Sequence, residues 1–374
     1  MPTARLIFDA PEKNADLYYA TGFLAGDDLL YLECRGKKYL VLSDLEFDRG
    51  KKEARVDKIL SLSQYIKKAR EKKAVGVSGV IDILLKEFKI KKITVPQSTS
   101  FALVDQLRKK KYKVVAGTHP FYMERTIKTA KEKKEIAEAQ RAVFKTIALA
   151  EKILRDSSIR RGLLFWKGKI LTSERLRFEM DCFLLGLGMQ PILQTIIACG
   201  VQGCDPHCTG SGPLKPHQAI IVDCFPRSAT SRFFGDATRT FCKGKASPAL
   251  KKQYAAVKFV QEMAISKIKA GVNGKTINSW IQNYFEQNGF PTKEINGYRQ
   301  GFIHGTGHGL GLEIHEEPTR IAARDYILKA GHVVTVEPGL YYRKIGGVRI
   351  EDIVTVTKTG CKIMPTYPKR LEIP

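Results

Sequence analysis

Four carboxylates and one imidazole in the C-terminal half have the types and settings that can hold a cation: Asp223, Asp236, His308, Glu337 and Glu351. Asp223 closes the apolar run Ala219-Ile220-Ile221-Val222, and Asp236 opens the next one in Gly235-Asp236-Ala237-Thr238-Arg239-Thr240. A hairpin joining those runs can turn both carboxylates toward one pocket, where like charges repel unless a cation lies between them. His308 stands in His304-Gly305-Thr306-Gly307-His308-Gly309-Leu310-Gly311, whose glycines permit close backbone approach around an imidazole. That spacing matches neither a dinucleotide fingerprint nor a phosphate-binding P-loop, so a nucleotide role is rejected. Glu337 follows Val333-Val334-Thr335-Val336 and precedes Pro338-Gly339, while Glu351 lies in Gly346-Gly347-Val348-Arg349-Ile350-Glu351-Asp352.

Any one such acid is more often a turn-former or a surface charge. Gathered in one cleft, the set carries about four negative charges whose burial is costly, and two divalent cations would offset them. Oxygen donors with a single imidazole and no thiolate suit Mn²⁺, Co²⁺, Mg²⁺ or Zn²⁺ rather than a soft metal.

The elements that must carry these residues read as an α+β arrangement. Strand patterns cover 219–222, 236–241, 333–336 and 348–356, and on the last of these Arg349 shares a strand face with Glu351. A long helix over 131–154 has one apolar face, with Ile136, Val143, Ile147, Ala150 and Leu154 at helical spacing. Further helices are expected over 173–185, 248–269 and 277–287. The first third instead alternates short strands and helices. A hairpin spans 29–33 and 38–42 around Arg35-Gly36-Lys37, followed by strand 93–95, helix 101–107 and strand 114–115. The strand pattern stops at His119-Pro120, which predicts an α/β domain over 1–122 and a second domain over 123–374.

With 374 residues, 43% hydrophobic and 27% charged, the chain can bury large cores and is neither disordered nor collagen-like. It lacks the run of about 18 apolar residues that a membrane span needs. Its start, MPTARLIFDAPEKNADLYY, has acids where a signal peptide has an apolar stretch, so the sequence predicts a cytoplasmic protein. The formal charge of +25 invites a nucleic-acid or anionic-surface reading. The excess is spread over both portions, however, and its densest run, 108–113, is a solvated face between apolar patterns; a nucleic-acid partner is disfavoured. No two of the eight cysteines have C-x-x-C spacing, and reduced thiols packed as small apolar groups are expected. A zinc held by Cys204, Cys208 and His207 is a weaker alternative.

Taken together, Pro206-His207, Asp223, Gly235-Asp236-Ala-Thr-Arg-Thr, Gly-Thr-Gly-His308-Gly-Leu-Gly-Leu-Glu-Ile-His315-Glu, Val-Glu337-Pro-Gly-Leu-Tyr and Gly-Gly-Val-Arg349-Ile-Glu351-Asp resemble the pita-bread metallopeptidases, in particular the Xaa-Pro aminopeptidase and prolidase branch. Leu17-Tyr18-Tyr19-Ala20-Thr21-Gly22-Phe23 resembles the creatinase-type N-terminal domain of that branch. The resemblance implies that Asp223 chelates one metal, that Asp236 and Glu351 bridge two, and that His308 and Glu337 complete the ligand set of the second metal. The cations it implies are Mn²⁺ first, with Co²⁺ or Zn²⁺ as alternatives. They would activate a bridging water as nucleophile, Glu337 would move its proton to the leaving amine, and His207 and His315 would flank the scissile peptide. Arg349 would orient carboxylates or substrate, and His304 would line the pocket or hold the glycine loop. Arg320 or Arg324, if either reaches the cleft, would pair with a substrate's C-terminal carboxylate and favour dipeptides. The substrate implied is a dipeptide or longer peptide with proline second, and the assembly implied is a homodimer. One departure is the segment between Asp223 and Asp236, longer than the commonest family form, which bears on the shape of the substrate rim. Two other readings are weighed. A catalytically silent protein of the same fold could bind a protein or RNA partner through its basic surface, and a metal-free creatinase-type hydrolase could reuse the fold; the complete ligand set disfavours both.

Overall fold

Alternation along the strand Thr3–Asp9 (β1) buries Leu6 on one face of a sheet and Ile7 on the other, so the sheet needs cover on both sides. The computed structural model describes residues 3–322 and 325–374, with the side chains of Thr3, Thr319 and Arg320 outside the described residues. After β1 come α1 (Ala15–Thr21), β2 (Leu29–Cys34), β3 (Lys37–Leu42), α2 (Asp44–Glu53), β4 (Lys58–Ser61), α3 (Leu62–Glu71), α4 (Gly76–Glu87), β5 (Lys92–Val95), α5 (Phe101–Lys109) and β6 (Lys113–Ala116). The strands form one sheet in the order β4-β3-β2-β1-β5-β6. The β2–β3 pair is the hairpin expected around Arg35-Gly36, and β5, α5 and β6 stand where the sequence predicts strand, helix and strand. Leu6, Leu32, Ile93, Leu84 and Leu107 build one core, and Ile7, Leu17, Phe23, Tyr31 and Leu40 the other.

The first compact unit ends at Arg125, and its exit segment is bonded to α1. The Asp16 carboxylate accepts from the backbone N–H of Phe121 and of Tyr122, both at 3.1 Å, and from the Arg125 guanidinium at 3.0 Å.

The second unit runs from Thr126 to Pro374. Its long helix α6 (Ala130–Asp156) starts where the Thr129 hydroxyl accepts from the Glu132 N–H and the Glu132 carboxylate accepts from the Thr129 N–H. The residues expected on its apolar face, Ile136, Val143, Ile147, Ala150 and Leu154, are all buried, and each large aliphatic contributes about 1.5–3 kcal/mol. Helix α7 (Ser173–Gly186) packs with α6 against a four-stranded sheet of Ile196–Cys199, Ile220–Cys224, Ala237–Lys243 and Glu372–Ile373. Helices α8 (Pro248–Lys267) and α9 (Gly274–Gln287) share a second core with a five-stranded sheet built on Gly307–Gly309, Glu316–Ile321, Val333–Val336, Asp352–Val356 and Cys361–Ile363. An α/β unit followed by an α+β unit is the fold class expected from the sequence. No helix among the described residues is long and apolar enough to cross a membrane.

One strand expectation fails. The run 348–356 is not a single strand: Gly346–Arg349 pairs with Gly339–Tyr342, whereas Asp352–Val356 belongs to the five-stranded sheet. The backbone leaves the first pairing at Ile350, and the Glu351 N–H turns to the carbonyl of Thr238 at 3.1 Å. Arg349 and Glu351 therefore do not share a strand face. The four-stranded and five-stranded sheets are joined beside this break by Arg239, fully buried, whose guanidinium donates to the Asp352 carboxylate at 2.7 Å and to the Glu351 carbonyl at 2.6 Å.

Candidate metal centre

Asp223 and Asp236 occupy neighbouring antiparallel strands in which Asp223 is level with Thr238, so the two carboxylates are diagonal neighbours on one face. Asp236 is fastened to α6 by a two-point clamp: its N–H donates to Oε1 of Gln140 and its carbonyl accepts from Nε2, both at 2.8 Å. The approach is close enough that a Cβ on Gly235 would lie 2.8 Å from the carbonyl carbon of Ala139, so only glycine fits there. Thr238 donates to Oε2 of Glu351 at 2.8 Å, which draws the broken-strand residue onto the same face.

His308 sits on the short strand Gly307–Gly309 between Glu316–Ile321 and Val333–Val336. A Cβ on Gly307 would lie 2.1 Å from the carbonyl oxygen of Thr335, which is the physical need for that glycine. The His308 N–H donates to Oγ1 of Thr335 at 3.0 Å, and the ring nitrogen Nδ1 lies 3.1 Å from the carbonyl oxygen of Gly309. A carbonyl can only accept, so Nδ1 carries the hydrogen and the lone pair of Nε2 faces the acids. Nε2 is 3.6 Å from Oδ2 of Asp236 and 3.5 Å from Oε1 of Glu337. Donor atoms of Asp236, His308 and Glu351 all lie within 4.8 Å of one another. Among the described residues this is the cation-competent cluster; Cys204, Cys208 and His207 do not form one.

The acids are held in an environment that resists their ionisation. Burial, then the neighbouring Glu351, Asp223 and Glu337, raises Asp236 well above the usual carboxylate range. Burial and the charges of Glu337 and Asp223 raise Glu351 likewise. Glu337 is pushed up to about 7, chiefly by burial, against the pull of Arg349. His308 is pulled down to about 3 by burial and then by His315, which keeps the ring neutral and its lone pair available. Asp223 shows the same shortage of partners geometrically. Arg349 donates to its Oδ2 at 2.6 Å, but its Oδ1 is buried without a hydrogen-bond partner. An orphaned carboxylate oxygen beside an unprotonated imidazole nitrogen and three reluctant acids is a donor set that fits hard divalent cations.

A second tier of polar groups supports the acids. Arg349 donates from Nη1 to the Tyr341 hydroxyl at 2.9 Å, and that hydroxyl lies 2.7 Å from Nε2 of His304, whose Nδ1 faces the Gly305 carbonyl at 2.8 Å. Both ring nitrogens of His304 are thereby engaged. His315 is exposed, with its ring centroid 4.3 Å from that of His308. His207 is exposed on the loop whose Pro206 carbonyl is 3.5 Å from Nη2 of Arg349. The side chain of Arg320, and Arg324 with it, lies outside the described residues. Sequence reasoning missed Gln140, Thr238, Thr335 and Tyr341. Thr238 and Thr335 each sit two positions from a site acid, a period-two signal that could have found them. Gln140 and Tyr341 carry no local signal.

The sequence matches the metallopeptidase family M24 over residues 123–358. It is 28% identical over 370 residues to the Xaa-Pro dipeptidase of Pyrococcus horikoshii, spanning 96% of this chain and 92% of that protein. Among solved structures, an X-Pro aminopeptidase from Thermotoga maritima superposes with a TM-score of 0.82 at 24% identity, covering 99% of this chain and 97% of that one. A Xaa-Pro dipeptidase from Bacillus anthracis gives 0.81 at 25% identity, covering 100% and 95%. The fold shared with these structures is the pita-bread arrangement.

Proposed function

The chain belongs to metallopeptidase family M24, and on that premise we propose that it hydrolyses the bond between an N-terminal residue and proline, with Xaa-Pro dipeptides as the substrates and two divalent cations at the buried carboxylates. The observation that carries this reading is the convergence of Asp236, His308 and Glu351 within 4.8 Å. The substrate class is supported by the Pyrococcus horikoshii Xaa-Pro dipeptidase, which aligns with nearly the whole chain.

Asp223, Asp236, His308, Glu337 and Glu351 would hold the cations. Four ionised carboxylates less the Arg349 guanidinium leave more negative charge than one divalent cation balances, which favours two. The chemistry that bound cations supply is Lewis acidity toward the peptide carbonyl and a water of lowered pKa. Glu337, whose carboxylate lies 3.5 Å from Nε2 of His308, would accept a proton and hand it to the departing amine. His207 and His315 are the exposed imidazoles near this cluster and would donate to the substrate carbonyl or stabilise its developing charge. The linked bonds from Arg349 through Tyr341 to His304 keep the Asp223 carboxylate in place. A proline nitrogen in a peptide bond carries no hydrogen, so a pocket with no acceptor waiting for one selects it.

The test uses metal-stripped protein with Mn²⁺, Co²⁺ or Zn²⁺ restored, assayed on Ala-Pro, Arg-Pro-Pro, Met-Ala-Ser and Ala-Ala beside a Glu337→Ala control. Metal-dependent cleavage of Ala-Pro ahead of Arg-Pro-Pro, lost in the control, is the expected result. Faster cleavage of Arg-Pro-Pro would make the protein an aminopeptidase, and cleavage of none of the peptides with metal restored would remove the reading.

A further inference from the structure

The strand pairings of the first unit bring cations that are far apart in the chain to one end of its sheet. Lys92, which opens β5, is level with Thr3 of β1 and with Lys113 of β6. Arg35 turns the β2–β3 hairpin at the same end, because Arg5 of β1 is level with Glu33 of β2. Helix α4 delivers Lys89 and Lys91 there just before β5, and α5 delivers Lys111 just before β6. Neighbouring strands lie about 4.8 Å apart, so the row from Arg35 to Lys113 extends over roughly 15 Å.

Among the described residues none of these six cations has a carboxylate partner, whereas Lys86 and Lys109, still within the helices, pair with Asp82 and Asp105 at 2.7 and 2.8 Å. Glu87, in the last turn of α4, is taken up by the Tyr65 hydroxyl at 3.1 Å and by Lys68 at 2.8 Å. Lys92 stands directly opposite Lys113, a like-charge pairing that weakens a sheet. Arg35, Lys89 and Lys111 have φ angles of 52°, 54° and 66°, which glycine or asparagine adopts with less strain. Positive charge is therefore kept at this edge against both local repulsion and backbone preference.

A cavity of about 640 Å³, within the range of about 300–1,000 Å³ that organic ligands occupy, opens beside the row and is lined by Arg5, Arg35, Thr94, Gln97, Thr118 and Phe121. Arg5 is braced by Glu33 at 3.6 Å and by the Tyr122 ring at 4.9 Å. Guanidinium, amide and hydroxyl groups are those that pair with the edges of nucleobases. The most exposed large apolar side chains of the unit, Leu45, Val75 and Phe101, stand at the starts of α2, α4 and α5, toward the other end of the sheet, so the basic edge offers a membrane little to insert.

We propose that this edge binds single-stranded nucleic acid, the cations taking successive phosphates and the cavity one unstacked base. In the sequence the positive charge is spread along the chain and disfavours such a partner; the sheet gathers six of the cations from 35–113 into one row. A single strand follows an uneven row more readily than a duplex, and its free bases can enter a cavity. The inference is independent of the peptidase reading.

The test is fluorescence anisotropy of a labelled, mixed-sequence RNA of about 12 nucleotides with the full-length chain, at about 50 to 200 mM NaCl. Six phosphate contacts predict a log–log salt slope of about −4, a loss of roughly 300-fold in affinity over that range. Lys92→Ala/Lys111→Ala/Lys113→Ala is expected to flatten the slope by about 2 and to weaken binding about tenfold or more at the lowest salt. Lys269→Ala/Lys358→Ala/Lys362→Ala, at three exposed positions of the second unit, removes the same charge and should change neither. Gln97→Ala is expected to weaken binding about fivefold with the slope unchanged, as loss of a base contact does. Thermal melts by circular dichroism confirm that each variant is folded. No binding at the lowest salt, a folded edge variant with the wild-type slope, tighter binding of the same sequence as a duplex, or displacement by polyglutamate or anionic vesicles as effective as by unlabelled RNA would each overturn the proposal.

Discussion

Arg349 holds one oxygen of Asp223 at 2.6 Å and leaves the other, Oδ1, buried with no hydrogen-bond partner. The carboxylate is thus half satisfied by the protein and half available to a cation. Burial opposes the charge on Arg349, but Tyr341, Asp223 and Glu337 outweigh it and raise the guanidinium pKa. Removing the guanidinium by Arg349→Met strands a buried anion, and the expected cost is about 3–5 kcal/mol in urea unfolding of the metal-free protein. Part of that loss should return when a divalent cation is added, and the return is read from the same unfolding curves.

Gln140 acts on Asp236 through the backbone alone. Gln140→Leu keeps the helix and its volume but leaves the Asp236 N–H and carbonyl unpaired in a buried setting, at about 1–3 kcal/mol. Its other consequence is weaker metal binding, because the carboxylate loses its fixed position. Isothermal titration with Mn²⁺ is expected to show a 10- to 100-fold weaker site, about the scale of lost outer contacts; an unchanged affinity would mean that the clamp only stabilises the fold.

Gln140 marks the limit of what the sequence discloses. The five site residues stand out because each interrupts an apolar run or a glycine cluster, a local pattern. The long apolar face of α6 and the hairpin of β2 and β3 are equally local. Gln140, by contrast, lies on that helix 96 positions before the backbone it grips, and no spacing rule connects the two. The break at Ile350 is hidden for a related reason. Gly346 to Val356 alternates well enough for one strand, and only the pairing of each half with a different sheet divides it.

Metal binding should release protons. Asp236 and Glu351 are held above the usual carboxylate range and Glu337 at about 7, so near pH 6.5 the metal-free site carries protons that cations must displace. His308, already neutral with its pKa near 3, releases none. Titration of Mn²⁺ into weakly buffered protein at pH 6.5 is expected to acidify the solution, and metal affinity is expected to rise with pH up to about 8. The Glu337→Gln variant should release fewer protons per protein.

His332 supplies a pH test away from the acids. It is fully buried, its Nδ1 accepts from the Lys329 N–H at 3.1 Å, and its Nε2 has no partner. Burial, followed by Lys128 and Lys329, lowers its pKa from 6.5 to about 4. The unfolded chain therefore takes up the proton first on acidification. The contribution to stability is present above about pH 6.5 and is lost as pH falls toward 4, by up to about 3 kcal/mol. His332→Asn keeps an acceptor for the Lys329 N–H and does not titrate. The stability difference between variant and wild type, from urea curves at pH 7 and pH 4.5, should shift toward the variant at the lower pH.

Gly307→Ala tests the close approach beside His308. The added methyl would stand 2.1 Å from a backbone oxygen that has no rotamer to change, so the strand itself must move. The expected cost is about 1–3 kcal/mol in unfolding free energy. Hydrolysis of Ala-Pro should fall by more than stability alone accounts for, since His308 is the next residue.

The Asp16 carboxylate, bonded to the N–H groups of Phe121 and Tyr122 and to Arg125, ties the last residues of the first unit to its own opening helix. The segment that ends at Arg125 is a cassette fastened at its own seam. Recombination that cuts after Arg125 severs none of these bonds, so such a crossover can trade the first unit for a relative's while each module keeps its interior whole.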